Sequence, residues 1–124
     1  MKLNYLVFCE AAEYVGESLP VLFKIFNKIV VKYSGSPLIF EFSIAYEVLD
    51  IKPRKNPYAV ELVMVKPDET ELKLMIVSSK VGDGQDRIGG IARTKLAVDQ
   101  PGEYEVKISV NNEFLDSRSF TVSF

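Results

Sequence analysis

The 124-residue sequence has no histidine, no tryptophan and a single cysteine. Without an imidazole the chain cannot build a Ser-His-Asp triad or a Cys-His dyad for nucleophilic catalysis. A lone thiolate cannot complete a four-coordinate zinc site, and it cannot form a disulfide within the chain. We therefore expect a protein that is not an enzyme and that carries no cofactor and no metal.

Strong net charge and long apolar runs are also missing. Fifteen basic and seventeen acidic residues give a formal net charge of -2, which provides no long-range attraction for nucleic acid or anionic lipid. No apolar run approaches the roughly 20 residues of a spanning helix. The run that starts at Leu3 is interrupted by Asn4 and ends before Glu10, too short for a signal peptide. We expect a cytoplasmic protein with no nucleic-acid partner and no membrane association.

Two segments alternate apolar and polar residues, which is the pattern of a half-buried strand. One runs from Leu38 to Val48 and the other from Gly102 to Val110. A further strand is expected from Ile91 to Val98. Seven or eight short strands in a chain of this length predict an all-β fold, namely an antiparallel β-sandwich with residues 1–124 as a single domain.

A hairpin is predicted between Tyr58 and Ser78, because two apolar runs flank the polar residues 66–70. A five-residue loop keeps the apolar residues of both strands on one face. This register predicts three cross-strand pairs: Met64 with Leu72, Leu62 with Leu74, and Val60 with Ile76.

A second hairpin is predicted at Asn111-Asn112, because asparagine tolerates the positive φ of a two-residue type I′ turn. The register sets Lys107 opposite Asp116 and Glu105 opposite Arg118. It also places Phe120 and Val122 on the solvent side, although both alternate as core residues do. We therefore predict a bulge near Ser117–Ser119 that returns them to the core.

Residues 21–31 fit both helical and strand periodicity, and their β-branched and aromatic content favours a strand. One face of that strand carries Val21, Phe23, Ile25, Ile29 and Val31. The other face carries three apolar residues: Leu22, Phe26 and Val30. The second face is too apolar for bare solvent, so we expect a loop or another subunit to cover it. Leu22, Phe26 and Val30 are thus the candidate interface.

The cysteine, Cys9, continues the alternation of Leu3, Tyr5 and Val7. No imidazole is present to lower its pKa, and unpaired cysteine is among the most buried residue types. We interpret Cys9 as a small buried apolar residue rather than a nucleophile.

Three loops contain the residues with some capacity to bind a ligand: 33–37, 52–58 and 82–90. Tyr33 and Tyr58 are candidates to stack on a sugar, and Asp83 and Asp86 are candidates for calcium or for catalysis by carboxylates alone. The aspartates lack a regular Asp-x-Asp-x-Asp spacing, and no Gly-Lys-Ser/Thr follows for phosphate. A surface turn is the simpler interpretation.

The segment from Pro101 to Ile108, followed by the predicted hairpin, resembles the last two strands of immunoglobulin-like and fibronectin type III-like sandwiches. The resemblance implies an immunoglobulin-like sandwich in which the hydroxyl of Tyr104 bonds to the preceding turn. The paired cysteines and the core tryptophan of antibody domains are absent. Many unrelated modules share this architecture, so the resemblance implies no particular function.

The N-terminal third carries a cysteine, an acid and an alanine, followed by a leucine-rich strand. The residues are Cys9, Glu10, Ala12, Leu19, Leu22, Ile25, Phe26, Asn27 and Ile29. This pattern resembles an uncharacterised family of short bacterial all-β proteins. That family implies no established activity.

The sequence as a whole favours a non-enzymatic protein-interaction module or assembly subunit, with a protein partner or homo-oligomer. The alternative is a β-sandwich that binds a small ligand or a carbohydrate through the loops at one end.

Overall fold

The computed structural model describes residues 1–15, 19–31 and 38–124. In this part of the chain the fold is all-β without a helix, as predicted, and no segment forms a helix able to cross a membrane. The strands, in chain order, are β1 (Lys2–Val15), β2 (Leu19–Phe26), β3 (Lys28–Val30), β4 (Leu38–Leu49), β5 (Tyr58–Val65), β6 (Glu71–Ser79), β7 (Ile88–Val98), β8 (Gly102–Val110) and β9 (Glu113–Ser123).

The strands form two sheets. A four-stranded sheet has the order β2-β1-β4-β7, and a five-stranded sheet has the order β3-β9-β8-β5-β6. All pairs are antiparallel except β3 with β9, which is parallel. One sheet is strongly curled into a half-barrel. Five successive residues of β4, from Phe42 to Tyr46, are buried, so both faces of that strand are covered and the four-stranded sheet is the curled one. The described residues form nine strands rather than the predicted seven or eight, because a bend at Asn27 divides one predicted strand into β2 and β3. The prediction that all strands pair antiparallel is also wrong, since β3 pairs parallel with β9.

The main core lies between the sheets. On the five-stranded sheet, β5 and β8 bury every second residue, as their sequence alternation predicts. On the four-stranded sheet, Phe8 and Phe42 face them, and their rings contact Phe26 and Phe120 in an aromatic cluster. Burial of each such side chain contributes roughly 1.5–3 kcal/mol, so this cluster joins the sheets firmly.

The β5–β6 hairpin has the predicted five-residue loop, and Met64 pairs with Leu72 as expected. A bulge between Leu62 and Val63 then shifts the register, so that Leu62 pairs with Met75 and Val60 with Val77. The two other predicted pairs are wrong by one residue. The extra residue lets both Leu74 and Met75 pack partly against the core.

The β8–β9 hairpin has the predicted two-residue turn, with φ of 51° at Asn111 and 63° at Asn112. The predicted bulge exists, and Phe120 and Val122 are buried. It lies nearer the turn than predicted, at the shift between Ile108 and Ser109.

This earlier bulge changes the predicted charge pairs. Lys107 lies opposite Ser117, and Glu105 lies opposite Ser119. Arg118 instead pairs with Asp116 on its own strand, at 2.9 Å between Nη1 and Oδ2.

Residues 21–31 are strands, as predicted, but the predicted faces are wrong for β2. Leu22 and Phe26 are half-buried, and Phe26 belongs to the aromatic cluster. The bend at Asn27 explains the error, because β3 joins the other sheet and a period-two pattern does not continue across a bend. Val30 is exposed, and its role at an interface stays a prediction.

Candidate functional site

The curl of the four-stranded sheet creates a second buried layer. Cys9, Ser43 and Ala45 lie on the side of the sheet opposite Phe8 and Ile44, and all three are nevertheless buried. The outer part of the β1–β2 hairpin covers this side, since Ala12, Glu13 and Tyr14 share a cleft with Ile91 and Arg93 of β7. Small residues allow this close approach.

A partly buried carboxylate lies at one end of this covered side. The Glu47 side chain is 14% exposed, and its Oε1 accepts a hydrogen bond from Nδ2 of Asn4 at 2.9 Å. Nη1 of Arg87 lies 3.5 Å from the same oxygen. Asn4 reaches Glu47 at a register irregularity between Leu3 and Tyr5, which leaves Asn4 out of the regular pairing.

A cleft of about 620 Å³ opens beside Glu47. This volume falls within the range of roughly 300–1,000 Å³ that is typical of small-molecule sites. One part of its wall is apolar, and the other part carries hydrogen-bonding groups. The lining residues are Val7, Pro20 and Leu22 in the apolar part, with Asn4, Tyr5, Glu47 and Arg87 in the polar part.

Two tyrosines share the electrostatic environment of Glu47. Burial raises the pKa of Tyr5 and of Tyr14, and the negative charge of Glu47 raises both further. Deeper burial raises the pKa of Tyr46 to about 12. These phenols are therefore protonated at neutral pH and are available as hydrogen-bond donors.

A second cleft, of about 300 Å³, lies at the opposite end of the covered side. Its charged residues include Glu41 and Lys95, whose side chains are well exposed and pair at 3.3 Å. Such exposed pairs are typical of a solvated surface, and among the described residues no buried side-chain nitrogen or oxygen lacks a hydrogen-bond partner.

The predicted ligand residues do not meet in either cleft. Tyr33 and the loop 33–37 lie outside the described residues. Tyr58 is buried, its hydroxyl donates to the Lys52 carbonyl oxygen at 2.6 Å, and the Arg54 guanidinium covers its ring. This ring is not free to stack on a sugar. Asp83 and Asp86 are exposed, and the described ranges hold no cluster of three or more potential metal ligands.

Cys9 is buried, as predicted, and its Sγ lies 3.5 Å from the Ser43 carbonyl oxygen. Burial raises the pKa of the Cys9 thiol. At neutral pH the thiol therefore stays protonated within the second buried layer.

None of the polar residues of the cleft was predicted from the sequence. Asn4 interrupts an apolar run, and Glu47 alternates with apolar residues, as a residue on a solvated face does. Arg87 directly precedes β7, which begins at Ile88 rather than at the predicted Ile91. Only the curl of the sheet and the pairing of β1 with β4 bring these residues together.

Comparison with known proteins gives a family but no activity. The model of a family of unknown function, DUF6941, matches residues 4–123. This confirms the expectation of an uncharacterised family, although it does not test the cysteine-acid-alanine pattern. No curated protein matches the sequence.

Among solved structures, the chain is similar to that of Pseudomonas fluorescens alkylpurine DNA glycosylase AlkC bound to DNA containing an abasic site analog. It is 18% identical with a TM-score of 0.46, over 99% of this chain and 30% of that chain. The chain thus spans less than one third of that protein. A likeness at this level carries no argument about fold or function.

Proposed function

The chain belongs to DUF6941, a family of unknown function, and we propose that it is a non-enzymatic subunit that assembles with a second copy of itself. The observation that carries this proposal is an apolar row on the edge strand β2. Val21, Phe23 and Ile25 are 56%, 60% and 62% exposed. Val21 and Phe23 occupy alternate positions and share one side of the strand, and Ile25 follows Lys24, whose φ of 54° lies outside the β region.

The apolar row continues onto the neighbouring strand. Ala11 of β1 pairs with Phe23, and the exposed Val15 pairs with Leu19 near the end of the hairpin. The Nζ of Lys24 lies 3.7 Å from Glu10 and 5.6 Å from the centroid of the Phe23 ring. Glu13 lies between Ala11 and Val15, opposite Val21, so water covers an apolar surface that one carboxylate borders. Soluble proteins commonly bury exposed apolar surface against a partner.

The geometry of β2 favours contact through side chains rather than by strand addition. Pro20 has no N–H to donate, and Lys24 has a φ of 54°, outside the β region. Both features interrupt the row of backbone groups that an added strand needs. A partner must therefore dock against the apolar side chains.

A second copy fits this row because the row is self-complementary. A two-fold axis through Phe23 brings Val21 of one copy against Ile25 of the other, and Phe23 against itself. The Lys24 ammonium lies near Phe23 in each copy and is balanced there by Glu10, and the formal net charge of -2 gives little repulsion between copies. Aromatic residues at the centre of an apolar patch are typical of interface hot spots.

The test compares two isoleucines of equal exposure. Ile25→Lys places a charge in the apolar row, whereas Ile76→Lys places it on β6, the edge strand of the other sheet, where Ile76 is also 62% exposed. We expect a dimer in sedimentation equilibrium for the native chain and for Ile76→Lys. For Ile25→Lys we expect at least about 100-fold weaker dimerisation, because a charge would be desolvated.

A native chain that stays monomeric up to millimolar concentration would contradict the proposal. Equal weakening by both substitutions would also contradict it, since the interface would then not be centred on β2. Circular dichroism of each variant checks that the fold is retained.

The Glu47 cleft favours a second candidate function, the binding of a small ligand. This version of the predicted alternative uses the covered side of the curled sheet rather than the loops at one end. Its support is a cleft of suitable volume with an apolar wall and convergent polar groups.

A further inference from the structure

We propose that the Glu47 cleft binds an organic amine with a short apolar body, the protonated amine resting on the Glu47 carboxylate. This inference rests on the second candidate function and names its ligand class. It does not depend on dimerisation through β2.

The first argument is the hydrogen bonding of Glu47. The contacts from Asn4 and Arg87 both fall on Oε1. Among the described residues no donor bonds to Oε2. A carboxylate oxygen has two lone pairs, so Oε2 is left as an acceptor on a side chain that lines the cleft.

The second argument is the balance of charge. Nη1 of Arg87 lies 3.5 Å from Glu47, and its Nε lies 3.2 Å from Oδ1 of Asp86. Two carboxylates thus share one guanidinium, Glu47 on the wall of the cleft and Asp86 outside it, and the three groups together carry one net negative charge. An anionic ligand would have to compete with both carboxylates for Arg87, whereas a cation is attracted.

The third argument is the shape of the remaining wall. Val7, Pro20 and Leu22 offer apolar surface to an alkyl body, while Tyr5 lines the cleft next to Glu47. An ammonium group placed between an aromatic ring and a carboxylate is attracted both to the face of the ring and to the negative charge of the carboxylate. A sugar would need more polar partners along the wall than this cleft supplies.

The test uses hexylammonium chloride as the probe, with sodium hexanoate and hexanol as probes of equal chain length. Backbone amide shifts of the native chain are followed by NMR at constant ionic strength. We expect saturable shifts at Tyr5, Val7 and Leu22 with hexylammonium, and at least about tenfold weaker binding of the two other probes.

Two matched variants locate the charge. Glu47→Gln keeps the shape of the side chain and an oxygen for Asn4, and we expect it to weaken hexylammonium binding about tenfold or more. Glu61→Gln is the control. Glu61 lies on the five-stranded sheet, is also partly buried, and has its Oε2 at 3.5 Å from Nζ of Lys73. We expect native affinity from this control.

Each result decides the proposal. Saturable binding that is lost only in Glu47→Gln supports it. Preferential binding of hexanoate or hexanol in the cleft, or equal binding by Glu47→Gln, overturns the amine but leaves a small-ligand site. Shifts that never saturate with any probe overturn both. The native-chain mapping decides between these even if a variant fails to fold.

Discussion

β5 buries every second residue, whereas β4 buries five in succession, from Phe42 to Tyr46. The two strands lie inside different sheets. β5 pairs with β6 and β8, and one of its faces is directed away from the core. β4 belongs to the curled sheet, and the β1–β2 hairpin covers its second face.

The difference shows how a chain of this length builds a cleft. A sheet with one covered face needs large apolar residues on that face alone. The curled sheet has to accept a second layer, and its small residues Cys9, Ser43 and Ala45 leave room for one. Where the covering hairpin does not fill this room, beside Glu47, the cleft remains.

The largest expected effect compares two alanines. Ala45 of β4 is fully buried under the hairpin, and Ala59 of β5 is half-buried on the outer face. We expect Ala45→Leu to lower the free energy of unfolding by about 3 kcal/mol, because the second layer has no space for a larger side chain. Ala59→Leu should change it by less than about 0.5 kcal/mol. Urea denaturation measures both, and similar losses would show that β4 has no second packed layer.

The next effect depends on pH. The pKa of Tyr46 is raised to about 12, from 10.0, so the phenol favours the folded state while it is protonated. This stabilisation is complete below pH 10 and is lost as the pH rises toward 12. A shift of this size corresponds to about 3 kcal/mol. We expect Tyr46→Phe to remove this part of the slope in denaturation curves recorded between pH 9 and pH 12.

Tyr104 of the five-stranded sheet is compared with Tyr46, since burial raises the pKa of Tyr104 as well. Its hydroxyl donates to the Gln100 carbonyl oxygen at 2.7 Å, as predicted for a tyrosine at this position. We expect Tyr104→Phe to cost about 1 kcal/mol at pH 7, through loss of that hydrogen bond. If Tyr46→Phe loses stability between pH 9 and pH 12 as steeply as the native chain does, the loss is due to groups other than Tyr46.

The smallest effect compares two residues with positive φ. Lys24 in the curled sheet has a φ of 54°, and Asn112 in the β8–β9 turn has a φ of 63°. Glycine adopts this region without strain and lysine does not. We expect Lys24→Gly to raise the free energy of unfolding by about 0.5–1 kcal/mol, and Asn112→Gly to change it by a few tenths. Thermal unfolding measures both, and a loss of stability in Lys24→Gly would mean that its ion pair with Glu10 outweighs the strain.

The sequence predicts the five-stranded sheet better than the curled one for a physical reason. Alternation reports burial on one face, and β8 together with the Asn111-Asn112 turn follows that rule closely. Bulges lead to predicted registers that are wrong by one residue, as at Leu62, because either neighbouring register still buries apolar side chains.

The candidate site could not be predicted from the sequence, because it depends on contacts between distant segments rather than on local alternation. Glu47 lies at an alternation position that normally faces water, and nothing local indicates that Tyr14 and Leu22 come to lie over that side of the sheet. The same absence of local information reversed the faces of β2. A bend at one residue, Asn27, determines which of its sides is covered.

The sequence by itself determined the all-β class, the two central hairpin turns and the burial of Cys9, because these depend on local conformational preference and on apolar alternation. The tertiary structure decided which side of β2 is exposed and where Glu47 lies. Both depend on the curl of the four-stranded sheet, a collective result of many strand contacts that no single segment of sequence specifies.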